Sequence, residues 1–283
     1  MGEAADLVPH VVGDITDESA VDRIFSTHDV SSIIHLAALQ VPFVRANPRL
    51  GASVNVLGTA NMFEAAKQYG VRTVVYASSV AALDTEGTTV GPPTTLCGVF
   101  KRANEQMARI YYEEDRVVSV GLRPHTVYGV GRDQGVTSAP TTAMLAAAAG
   151  VPFTIPYGGA CQMQFAADVA QAFIAAADLG VDGARVYNIP GLRTSIADVV
   201  SAIGDSSIGF VNISLPFPEE TDADSFYALV PDYAETPLEQ GVHTTIELFR
   251  SLLAEGHVAA PTPEPPREQL VDPKRVAGAL PPP

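Results

Sequence analysis

Apolar positions along this chain follow two rhythms that alternate. Short runs of β-branched and aromatic residues at 11–12, 33–36, 73–77, 117–123, 153–155 and 185–189 read as strands. Between them, apolar residues recur every three or four positions over 48–69, 101–113, 140–149, 168–177, 195–203 and 238–253, which predicts helices. A shorter helix follows the turn at Gly13-Asp14, capped by Thr16 or Asp17, with Val21 and Phe25 inward. In the helix over 48–69, Val54, Leu57, Ala60, Met62, Phe63 and Ala66 face inward and Gly70 ends the pattern. In the helix over 101–113, the apolar stripe is Ala103, Met107, Ile110 and Tyr111. Residues 124–138 are rich in glycine and polar side chains and read as a loop at a sheet edge. Strand–helix alternation in units of about thirty residues predicts an α/β fold with a parallel sheet and right-handed crossovers.

Composition narrows the setting. The 283 residues carry a net charge of −15, which disfavours nucleic acid and anionic membrane surfaces as partners. Two cysteines, Cys97 and Cys161, make no disulfide framework, consistent with a reducing, cytoplasmic compartment. No apolar run approaches the ~18 residues of a membrane span. Eight of the 22 prolines lie beyond residue 257, so 257–283 is expected to be an extended or disordered tail. His125, His243 and His257 lack metal-ligand spacing, and no metal site is expected.

Candidate chemistry gathers between 74 and 105. Ser78 and Ser79 stand where a buried strand ends, the place where open α/β sheets bind ligands. Lys101 enters the next helix, and Cys97 precedes it by four positions, on the same helical face.

Eight segments in order, GDITD, IIHLAA, NVLGT, VVYASS, GVFKRANE, LRPHTVYGVGR, VYNIPG and TPLEQGV, carry a family resemblance. Between about Gly13 and Gly256 the chain resembles the NAD(P)-dependent epimerases and dehydratases, the extended short-chain dehydrogenases. The resemblance implies a Rossmann-like doubly wound parallel sheet with a small C-terminal substrate lobe. It implies a dinucleotide-binding part over 1–135, to which about 165–190 return, and a lobe over 136–256. It implies NAD or NADP as cofactor, a sugar or nucleotide sugar as substrate, and a homodimer. By position, Asp14, Ile15, His35, Leu36, Ala37, Ala38, Asn55, Ser78 and Lys101 would line the cofactor. Ser79 would hold the reacting hydroxyl, and Arg123, Tyr128 and Arg132 would border the substrate. Lys101 would also lower the pKa of a catalytic tyrosine beside it, because a nearby cation favours a phenolate.

Plainer readings stand beside these roles. Asp14 is a turn former, His35 a strand-end core histidine, and Ser78-Ser79 are small strand-end residues. Lys101 also reads as a solvated helix lysine, and Tyr128 and Arg132 as loop residues.

Two departures from the family shape the functional expectation. The G-x-x-G-x-x-G turn, which brings a helix N-terminus to the pyrophosphate, is not found near Met1, so an N-terminally truncated sheet with the strand at 33–36 at its edge is expected. Cys97 occupies the tyrosine position of Tyr-x-x-x-Lys, and its sulfur is too short to reach where a phenol oxygen would act. The expectation is an impaired member of the family. A non-catalytic binding or interaction protein derived from it is the alternative.

Overall fold

The computed structural model describes residues 8–262. The first half builds α1 (Glu18–Thr27), β1 (Ser32–His35), α2 (Val41–Ala46), α3 (Pro48–Ala52), α4 (Gly58–Tyr69), β2 (Thr73–Ala77), α5 (Leu96–Asp115) and β3 (Ser119–Arg123). The second half adds β4 (Thr126–Tyr128), α6 (Ala139–Ala149), β5 (Phe153–Ile155), β6 (Ala160–Phe165), α7 (Ala166–Asp178), β7 (Ala184–Asn188), β8 (Leu192–Ser195), α8 (Ile196–Ile203), β9 (Ile208–Phe210), α9 (Asp224–Leu229) and α10 (Leu238–Ala254).

β1, β2, β3 and β7 form a parallel sheet in that order. Because side chains alternate across a strand, β2 serves two cores at once. Val74 and Tyr76 pack with Val21, Met62, Phe63 and Ala108 of α1, α4 and α5. Val75 faces the other way, into Val169, Phe173 and Phe226 of α7 and α9. A third core fills the smaller lobe, where α6, α8 and α10 close around Met144, Ile155, Met163, Ile196 and Phe249. That lobe holds the mixed sheet β4-β6-β8 and the pair β5-β9.

Several expectations are corrected. The strand at 11–12 does not form: Val12 is 99% exposed, and no described strand lies beside it to accept its hydrogen bonds. Of the two caps expected for α1, Asp17 is the one that acts, its carboxylate accepting from the Ser19 and Ala20 backbone N–H groups. The helix expected over 48–69 is α3 and α4 joined by a π-helical turn at Ser53–Leu57. That wider turn shifts the buried face: Asn55 is 1% exposed, whereas Leu57 is 49% exposed. α5 starts at Leu96, five residues earlier than expected, because Thr95 caps it through the Gly98 N–H. Its buried face is Cys97, Lys101, Asn104, Glu105 and Ala108, and the expected stripe residues Ala103 and Ile110 are exposed. The segment 124–138 contains β4, which pairs with β6 and joins the two lobes. Most of the proline-rich tail lies outside the described residues.

Candidate active site

The C-terminal ends of β1 and β2, the start of α5 and the loop after β4 surround a cleft of about 190 Å³. Of the expected site residues, it brings together Leu36, Ala38, Ser78, Ser79, Cys97, Lys101 and Arg132. A segment from the smaller lobe, Leu215, Pro216 and Phe217, supplies the facing wall.

α5 organises the polar side of this cleft. Cys97, Lys101 and Glu105 follow at intervals of four, so one helical face carries all three inward. The Gly98 backbone lies against the Ala81 carbonyl, where a Cβ would collide, so glycine lets the helix approach the turn after Ser79. Lys101 Nζ donates to the Ala77 carbonyl at 2.5 Å, and burial pulls its pKa down, opposed by Cys97 and Glu105. Glu105 accepts from Ser78 Oγ at 2.5 Å and pairs in a bidentate fork with Arg123, at 2.7 and 2.6 Å. Ser78 and Arg123 are therefore committed to a buried ion pair, and Arg123 does not line the cleft. Ser79 Oγ accepts from the Ala81 N–H at 3.1 Å, which leaves its own proton to donate into the cleft.

The thiol of Cys97 is buried, 3.9 Å from the Leu39 carbonyl. Burial raises its pKa, and Lys101 acts against that shift. At neutral pH it is a thiol that donates, not a base. No phenol replaces it: Tyr111 donates to Glu64 and Tyr112 to Asp182, well along the helix, and Tyr76 is buried in the sheet.

Several expected cofactor residues act behind the cleft wall. Asn55 spends both ends of its amide on Leu39, accepting from its N–H at 2.7 Å and donating to its carbonyl at 2.9 Å. It shapes the loop after β1 and does not line the cleft. Its own carbonyl accepts from Asn104 Nδ2 and from Thr59 Oγ1. With the Thr59 proton committed there, His35 Nε2 is the donor to Thr59 Oγ1, at 3.1 Å. Burial, assisted by Lys101, lowers the His35 pKa to about 4, so this imidazole is neutral. Asp14 is exposed, with its carboxylate held by the Thr16 N–H and hydroxyl, and Ile15 lies beside it, packed on the α1–α4 core. Asp14, Ile15, His35 and Ala37 are not among the cleft residues. Tyr128 is fully buried in the smaller lobe, against Gly241, and is core rather than substrate border.

The resemblance left four contributors unnoticed. Glu105 was signalled by its spacing of four from Lys101. His125, Thr137 and the 215–217 wall carried no local signal, since only the lobe packing brings them to the cleft.

A dinucleotide would need two half-sites. The reaction end is present in Ser79, Lys101 and the ends of β1 and β2. Beyond it runs an open groove of about 740 Å³, lined by Ile34, Leu36, Phe43, Phe173 and Ile174. The groove is also lined by Ala166, the first residue of α7, and by Gly131 of the loop after β4, whereas no G-x-x-G-x-x-G turn occurs among the described residues. The described residues fit the reaction end of such a cofactor and lack the family's G-x-x-G-x-x-G turn for its phosphates.

The sequence pattern of the NAD-dependent epimerase/dehydratase family matches residues 2–190. The chain belongs to this family. Curated relatives include an uncharacterized protein of Methanocaldococcus jannaschii, 35% identical over 109 residues, covering 36% of this chain and 33% of the relative. An uncharacterized epimerase/dehydratase of Staphylococcus saprophyticus is 27% identical over 128 residues, covering 43% of this chain and 40% of that protein. The matched span is thus well under half the length of these relatives. Among solved structures, a partial-consensus L-threonine 3-dehydrogenase superposes with a TM-score of 0.81 at 22% identity, covering 89% of this chain and 88% of the other. The UDP-glucose 4-epimerase of Thermus thermophilus, in complex with NAD, gives 0.73 at 23% identity and 87% coverage of each chain. These structures share the family's α/β fold with a Rossmann-like parallel sheet. Among the described residues, no helix is long and apolar enough to cross a membrane.

Proposed function

We propose that the cleft is the reaction end of an NAD(P)-dependent site for hydride exchange at a hydroxyl-bearing carbon, retained in impaired form. The resemblance makes sugars and nucleotide sugars the first substrates to test. In this reading Ser79 donates to the reacting oxygen, and Lys101 holds positive charge beside it. A bound nicotinamide would supply the hydride acceptor. The observation that carries the reading is the face of α5, which sets Cys97 and Lys101 one turn apart on the cleft wall. The same face accounts for the impairment, because the group at the proton-accepting position is a short, buried thiol with a raised pKa.

The test measures NAD(H) binding by calorimetry and turnover by absorbance, with a panel of sugars and nucleotide sugars. The expected affinity is weaker than about 1 mM, roughly −4 kcal/mol, with no turnover by the chain itself or by Cys97→Tyr. Micromolar binding together with turnover would overturn the impaired state. In a chain supplied with a strand–G-x-x-G-x-x-G–helix–strand segment, Cys97→Tyr should raise turnover at least ~10²-fold, the low end for a general base. Equal turnover with and without the change would remove the proton-transfer role from this position.

The same reading includes a homodimer. Leu96, Val99, Ala103 and Ile110 run along the exposed side of α5 at heptad-like spacing, and Leu50 and Leu57 are exposed on the neighbouring α3 and π-turn. Two-fold pairing of these helices would bury them. Sedimentation showing a monomer at micromolar concentration would refute it.

A further inference from the structure

Two lysines of this chain stand in opposite environments. Lys67, on α4, is exposed and pairs with Asp115 at 3.1 Å, and its hydrogen bond to that carboxylate raises its pKa. Lys101, on α5, is 8% exposed and takes part in no salt bridge among the described residues. The acid placed to serve it, Glu105, lies one turn further along the same helical face. Both Glu105 oxygens are taken by the Arg123 fork, and one of them also by Ser78 Oγ. The cleft that Lys101 lines holds no aspartate or glutamate, and its other cation is Arg132.

Burying an ammonium without a counter-ion is unfavourable, and the neutral amine relieves it. Desolvation lowers the Lys101 pKa accordingly, opposed by Cys97 and Glu105. The nitrogen is also held in place. It donates one proton to the Ala77 carbonyl at 2.5 Å, which fixes it against the end of β2. A neutral amine keeps a second N–H and a lone pair beyond that bond. Ser79 follows Ala77 by two residues and lines the same cleft, with a hydroxyl proton free to donate. A desolvated amine on the wall of a partly aliphatic cleft is the arrangement that makes lysine attack carbonyl carbons.

We infer that Lys101 is a nucleophile that captures aldehydes and ketones in this cleft as an imine. The nitrogen lone pair forms the C–N bond while the carbonyl π bond breaks onto oxygen. That oxygen then leaves as water with the two protons lost by the nitrogen, and no oxidant, reductant or dinucleotide takes part. The activity is separate from hydride exchange. There Lys101 acts as the ammonium, whereas imine formation draws on the neutral fraction that burial enlarges.

Reductive trapping on the full, unaltered chain tests it. The chain is incubated at neutral pH with propanal or acetone and sodium cyanoborohydride, which reduces the imine to a stable secondary amine. Modified peptides are then mapped by mass spectrometry. The lysines of the chain are Lys67, Lys101 and Lys274, so each site is read separately. Lys101 should be alkylated at least about tenfold faster than Lys67, despite its burial. In concentrated urea the two rates should become equal, because the preference belongs to the folded cleft. Labelling of Lys101 no faster than that of Lys67 in the folded chain, or a preference that survives unfolding, would overturn the inference. No dinucleotide is present in these reactions, so their outcome is independent of the hydride-exchange reading.

Discussion

β1 and β2 are neighbouring parallel strands of nearly the same composition, Ser-Ile-Ile-His and Thr-Val-Val-Tyr-Ala, with very different surroundings. In β2, Val74 and Val75 are fully buried and Tyr76 is 1% exposed, because helices cover both faces and strands flank both edges. In β1, Ile33 is buried under α1 and α4, but Ile34 is 40% exposed and Leu36 just beyond it 59% exposed. One edge of β1 pairs with β2, and no described strand pairs with the other. An apolar groove lined by Ile34, Leu36 and Phe43 opens beside it. A β-branched run therefore announces a strand but does not decide how much of it is buried. Neighbours decide that. The functional consequence is a cleft whose β2 and α5 wall is tightly built and whose β1 side is open.

Disruptions should separate the two sides. The largest effect is expected behind the β2 wall, at the Glu105–Arg123 pair, whose side chains are 4% and 11% exposed. Glu105→Gln leaves a buried guanidinium with one fewer charge partner and should cost about 3–5 kcal/mol in urea unfolding. A loss under 1 kcal/mol would mean that the pair is solvated in solution. Next is Leu122→Ala in β3, fully buried beside β2, expected to lower stability by about 2–5 kcal/mol.

A comparable effect should appear with pH. His35 has a folded pKa of about 4 against 6.5 for a free imidazole, so between those values the unfolded chain binds more protons. Stability attributable to His35 is full above pH 6.5 and is lost as pH falls toward 4, on the order of 3 kcal/mol in all. Burial depresses the His125 pKa too and adds a component of the same sign. Thermal melts of His35→Gln should show a shallower decline over this range than the parent chain. Parallel curves would show that His35 is not buried neutral.

The smallest effect belongs to the open side. Leu36→Ala should change stability by no more than about 0.5 kcal/mol, as for other exposed positions. A cost near that of Leu122→Ala would show that β1 is covered in solution, by a second chain or another segment. The contrast between the strands would then be lost.

Much of this arrangement was legible in advance. The strands at 73–77 and 153–155, the helices expected at 140–149, 168–177 and 238–253, and the stop at Gly70 follow from period, cap and breaker, within one or two residues of the observed bounds. The positions of Ser79, Cys97 and Lys101 at one cleft followed from the family motifs. The helix around Asn55 was misread, because a π-turn leaves no mark in hydrophobic period until the register has shifted. β6, β8 and β9 were missed because short strands of mixed polarity are held by pairing across the lobe. Tyr128 was read as a loop residue in a glycine-rich stretch, and only the lobe core shows why it is buried.

What the sequence determined by itself is local: where most of the helices and the buried strands lie, that Cys97 and Lys101 share a face, and that a thiol stands where the family carries a phenol. Those properties depend on spacing and side-chain chemistry within a few turns of chain. Only the tertiary structure decided which groups remain free to act. It committed Ser78 and Arg123 to Glu105, Asn55 to Leu39 and Lys101 to Ala77, and it brought Arg132 and the 215–217 wall together across the cleft. Partners so far apart in the chain meet only when separate apolar faces are buried against one another, and that packing lies outside the reach of any local pattern.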